Sequence, residues 1–60
     1  MKKYRAYPVW SGRTLSPTIF DSDSDEHAIA IVRGFVGNYS IEIWEGTRKV
    51  AEVAPKTAAA

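Results

Sequence analysis

The sequence predicts an α+β fold: a four-stranded antiparallel sheet with one helix packed on one face, in the order β-β-α-β-β. Three observations predict it. Residues 21–38 join an acidic, serine-rich opening to an apolar run that stops at Gly37 and Asn38. Around this segment lie short stretches rich in tyrosine, isoleucine and valine, with polar residues alternating between them. The chain has 60 residues and no cysteine, so neither disulfides nor thiolate-bound metal can support it. Residues 1–54 read as one small domain and residues 55–60 as a flexible tail after the strand-breaking Pro55.

Residues 3–7 form the first expected strand, with Tyr4 and Ala6 on one side and Lys3, Arg5 and Tyr7 on the other. Pro8 cannot donate a ladder hydrogen bond, so regular pairing is expected to weaken there. Ser11, Gly12, Arg13 and Thr14 signal a turn, and residues 18–20 return as a second strand. Pro8 and Pro17 bracket this connection, which predicts a wide, irregular hairpin end rather than a tight two-residue turn.

The helix follows. Asp23 with Glu26, or Ser22 with Asp25, fits a capping box. Ala28, Ile29, Ile31, Val32, Phe35 and Val36 fall in one arc at helical spacing, and Gly37 with Asn38 supplies a left-handed stop. Gly34 and the β-branched residues favour a strand instead, but the cap, the one-sided arc and the stop signal agree on a helix.

Residues 39–45 and 49–54 form the last two strands. A three-residue loop of Gly46, Thr47 and Arg48 sets Trp44 opposite Val50, Ile43 opposite Ala51 and Ile41 opposite Val53. That register pairs apolar with apolar and is preferred over a two-residue loop. A right-handed crossover through the helix makes the second and third strands parallel in direction, and the first fits between them. The sheet order is then second, first, third, fourth. Tyr4, Ala6, Phe20, Ile41, Ile43, Ala51 and Val53 would meet Ile29, Val32, Phe35 and Val36 of the helix. Arg5, Tyr7, Ile19, Glu42, Trp44, Val50 and Glu52 would lie on the open face.

Composition narrows the function classes. The net charge is +1 with 45% hydrophobic residues, which suits neither a dedicated nucleic-acid binder nor a disordered chain. The start has lysines but no apolar stretch after them, and the longest apolar run is far short of the about 20 residues of a membrane span, so a cytoplasmic location is expected. Asp21, Asp23 and Asp25 have calcium-loop spacing, but Glu26 and Val32 stand where such a loop needs glycine and a bidentate glutamate. His27 is the sole histidine and reads as a surface residue near the helix start. Arg33, Gly34 and Phe35 match only the opening of an RNA-binding strand motif and sit on the helix. No set of catalytic groups converges, so neither enzyme activity nor a metal or cofactor is expected.

Tyr4, Arg5, Ala6 and Tyr7; Gly12; the run Asp23, Ser24, Asp25, Glu26, His27, Ala28 and Ile29; residues 41–46; and residues 48–53 form a pattern. It resembles a group of very short, uncharacterised bacterial proteins with a β-β-α-β-β layout. The resemblance implies the architecture and carries no activity; Pro8 and Pro17 depart from it at strand positions. The expected function is a small non-catalytic interaction module, homodimeric or protein-binding, using Arg5, Tyr7, Ile19, Trp44 and Val50 on the open face. The alternative is weak single-stranded nucleic-acid binding through Arg5, Tyr7, Trp10 and Arg13, with Lys3 nearby.

Overall fold

The structure is a computed structural model and describes residues 1–55. Beyond Pro55, the expected tail lies outside the described residues. The elements are β1 (Lys2–Trp10), β2 (Arg13–Thr14), β3 (Thr18–Ser22), α1 (Asp25–Phe35), β4 (Ser40–Glu45) and β5 (Arg48–Val53).

β1 is the long inner strand of an antiparallel sheet. On one edge it pairs with β4, from Arg5 opposite Trp44 to Val9 opposite Ser40. On the other it pairs with β3, from Lys2 opposite Ser22 to Ala6 opposite Thr18, and with β2 at Val9 and Trp10. The expected second strand, residues 18–20, is β3, and β2, from the stretch expected as a turn, is a separate piece on the same edge, which makes five strands among the described residues rather than four. The break falls at Leu15, Ser16 and Pro17, where proline has no N–H for a ladder. The Leu15 amide still donates to the Pro8 carbonyl at 2.7 Å.

Two hairpin expectations need correction. β1 runs through Pro8 to Trp10, and its tip is a tight loop of Ser11 and Gly12. Both loop residues are left-handed, at φ +54° and +79°, the pattern of a type I′ turn that follows the twist of the strands. The irregularity sits beyond the tip, at Pro17. In the second hairpin the loop is two residues, Gly46 and Thr47, with Gly46 at φ +60°. Glu45 faces Arg48 and Trp44 faces Lys49, yet Ile43 still faces Ala51 and Ile41 still faces Val53. A bulge at Val50 absorbs the difference: the local turn chemistry and the long-range apolar register are both met by one extra residue.

The helix cap is Ser24, one residue after Asp23 and two after Ser22, the two expected caps. Ser24 is extended, and its side chain accepts from the His27 amide at 3.1 Å. Asp25 and Glu26 fill the first turn, where the helix dipole favours negative charge. At the other end Val36 donates to the Val32 carbonyl and leaves the helix in an extended conformation (φ −66°, ψ 136°). Gly37 keeps a negative φ, so the left-handed stop is not used; burial of the Val36 side chain holds the exit instead.

The core is Tyr4, Ala6, Ala28, Val32, Val36, Ile41, Ile43 and Val53, with Phe20, Ile29, Val50 and Ala51 packed against it. The Tyr4 and Phe20 rings stack at 5.7 Å. Ala28, Val32 and Val36, four residues apart, form the buried row of the helix side. Phe35, expected in the core, lies on the edge of that row and is 48% exposed.

Ile43→Ala removes a fully buried side chain beneath the helix; in urea unfolding it should cost about 2–5 kcal/mol. Gly34 lies in the helix with open space where a Cβ would stand, so Gly34→Ala should stabilise by about 0.5–1 kcal/mol in the same measurement.

Candidate interaction surface

The helix covers one face of the sheet, and no described element covers the other. Strand alternation sends Arg5, Tyr7 and Val9 of β1, Ile19 of β3, and Glu42 and Trp44 of β4 to this open face. The cross-strand register sets Arg5 between Ile19 and Trp44, and Tyr7 beside Glu42. Ile19 is 56% exposed, whereas Tyr7, Glu42 and Trp44 are half-buried among their neighbours. The Trp44 indole N–H donates to Glu42 Oε1 at 3.1 Å, which fixes the ring along its own strand. Tyr7, Thr14, Glu42, Trp44 and Gly46 line a shallow open depression of about 340 Å³.

Four of the five expected surface residues, Arg5, Tyr7, Ile19 and Trp44, thus share one face. Val50 does not belong with them: the bulge turns it toward the core, where it packs against the buried cluster. Lys49 takes its place opposite Trp44. Its ammonium bridges Glu42 (3.8 Å) and Glu52 (3.4 Å), which would otherwise face each other as two like charges. The sequence holds a hint of this in the Lys49, Glu52 spacing, but only the bulge brings Lys49 onto the face.

The alternative cluster is divided by the same alternation. Arg5 and Tyr7 point to the open face. Trp10 and Arg13, a cross-strand pair, belong to the other face beyond the helix, and Trp10 packs edge-on against Tyr39 at 5.1 Å.

Two polar groupings lie on the helix side. Ser22 is fully buried; its hydroxyl donates to the Ser24 carbonyl at 3.0 Å and lies 2.8 Å from His27 Nδ1. With its one proton given to that carbonyl, Ser22 accepts from the imidazole N–H. His27 is an exposed residue at the helix start, as expected, and its ring is also tied to Ser22. A serine and a histidine in contact could serve nucleophilic chemistry, but a hydroxyl with no exposure cannot meet a substrate. The pair braces the turn into the helix.

The second grouping is a clamp. The buried Tyr4 hydroxyl donates to Asp25 Oδ1 at 2.8 Å. Arg48 grips both oxygens of the same carboxylate, at 3.1 and 3.2 Å, and also reaches Glu45. Hydrogen bonds from Arg48, then from Tyr4, hold the Asp25 carboxyl below its usual range. Burial, followed by the bond to Asp25, pushes the Tyr4 phenol up from 10.0 to about 12. Asp25 is committed here and Asp21 is paired with Lys3 at 3.4 Å. Among the described residues no group of three or more histidine or acidic side chains could hold a metal ion, and no helix is long and apolar enough to cross a membrane.

These shifts have signs that urea unfolding against pH can check. Asp25 is lowered, so its contribution is present above the ordinary carboxylate range and is lost as pH falls through its folded value. Tyr4 is raised, so its contribution is complete below pH 10.0 and falls away as pH rises toward about 12. Tyr4→Phe should remove the alkaline part of the loss. It should also lower the thermal midpoint by roughly 10 °C at neutral pH, because a charge-assisted bond is missing.

In comparisons with known proteins, no protein-family model, no curated protein and no solved structure matches this chain.

Proposed function

We propose that the protein is a small, non-catalytic interaction module of the cytoplasm that associates with a second copy through its open sheet face. One observation carries this reading: the helix of the described residues is spent on one side of the sheet, and the other side holds Tyr7, Trp44 and Ile19, with Arg5 between Ile19 and Trp44 and Glu42 beside Tyr7. A patch of that composition is typical of contact surfaces. The molecule measures 35 × 20 × 15 Å, so its broad face offers about 700 Å², close to the roughly 800 Å² per partner of a standard interface. Burying this face would add apolar area to a 60-residue core that is otherwise small. The likeness to very short bacterial proteins of the same layout belongs to this proposal and brings no activity with it. Single-stranded nucleic-acid binding is less well supported, since its residues are split between the two faces, Arg5 and Tyr7 on one and Trp10 and Arg13 on the other.

The test is light scattering across a concentration series. The wild type should be a dimer at high micromolar concentration. Trp44→Ala should raise the dissociation constant by about tenfold or more, as loss of a central aromatic anchor does, and leave the far-ultraviolet circular dichroism unchanged. A wild-type monomer throughout the series contradicts the proposal.

A further inference from the structure

We propose that the two copies meet face to face about a two-fold axis running along the seam between β1 and β4, which sets Arg5 of each copy on Trp44 of the other. This rests on the self-association proposed above and adds its geometry.

The register across the seam carries the inference. Arg5 stands level with Trp44, and Tyr7 stands level with Glu42. A two-fold axis along the seam, midway between two facing sheets, exchanges β1 of one copy with β4 of the other at the same height. Arg5 then meets Trp44 of the second copy, and Tyr7 meets Glu42 of the second copy. Ile19, level with Arg5 on β3, meets Lys49 of the second copy, which is level with Trp44 on β5. Facing sheets pack about 10 Å apart with strands within about 30° of each other, a gap that long and aromatic side chains fill.

Each contact is chemically matched. A guanidinium lies over an indole face. A phenol donates to a carboxylate. A lysine stem covers an isoleucine while its ammonium keeps its acidic neighbours. The charge balance agrees. Arg5 forms no ion pair among the described residues, whereas Lys3 and Asp21 neutralise each other. On the β4 and β5 half, Glu42 and Glu52 share the one Lys49. The face therefore has a positive half on β1 and a negative half on β4 and β5, and the two-fold axis brings unlike halves together. Pairing of two β5 edges is the competing dimer, but the Val50 bulge blunts that edge.

The chain has no cysteine, so Lys3→Cys and Glu52→Cys each create one site for a nitroxide label. Position 3 lies on β1 beside the proposed axis, and position 52 lies on the outer strand. Copies of β1 should be offset sideways by about one strand spacing and copies of β5 by about three. Dipolar broadening between labels should thus be strong at position 3 and clearly weaker at position 52. The reverse order, or no broadening at position 3 in a sample that light scattering shows to be dimeric, overturns the arrangement and leaves self-association standing. A monomeric wild type overturns both. A charge exchange gives a label-free check. Trp44→Arg should weaken the dimer more than about tenfold by facing Arg5 with a like charge, and adding Arg5→Glu in the same chain should restore it. Failure of the double variant to recover also overturns the arrangement.

Discussion

The buried Tyr4 hydroxyl is the constraint on which the rest of the structure depends. A phenol with no exposure must find a partner, since an unmet hydroxyl in an apolar interior costs about 1–3 kcal/mol. Its partner is Asp25, the first residue of the helix, so the helix has to begin directly above β1. Ser24 caps the helix at that point, and Arg48 anchors the same carboxylate to the start of β5. Three elements distant in sequence are joined through one side chain. With the helix start pinned there, Ala28, Val32 and Val36 descend onto the sheet against Ile41, Ile43 and Val53.

The consequence for function is one of exclusion. The described residues form one helix, and the clamp commits it to one face. The groups that would otherwise suggest chemistry are used in the same place: Asp25 by the clamp, Ser22 and His27 by the brace of the helix start. What stays available is the opposite face, where Trp44 is held by Glu42 and stands beside Arg5, which forms no ion pair among the described residues. A ring already fixed in place loses little freedom on contact, which suits an anchor residue.

How much of this was legible in the sequence follows from the range of the forces involved. The helix, the alternating strands and the central place of the first strand came from periodicity and from the geometry of a crossover. Arg5, Tyr7, Ile19 and Trp44 were placed on one face by alternation alone. Val50 was not, because a bulge shifts the period and arises only when a two-residue turn and an apolar register compete. The turn at Ser11 and Gly12 was legible but its tightness was not, because Pro8 and Pro17 suggested a wide end and serine is an uncommon choice for a left-handed position. The cap was displaced by one or two residues within a run of serines and aspartates that all qualify locally. Nothing local marks Asp25 as the partner of Tyr4 and Arg48, which lie 21 and 23 positions away.

The most direct test of the account is an amide chemical-shift map recorded as the labelled protein is diluted. The account predicts concentration-dependent shifts at Arg5, Tyr7, Ile19, Glu42 and Trp44, including the Trp44 indole N–H, while Ala28 and Val32 of the helix stay constant. Shifts centred on the helix or on the outer edge of β5, or no shifts at all, would contradict it.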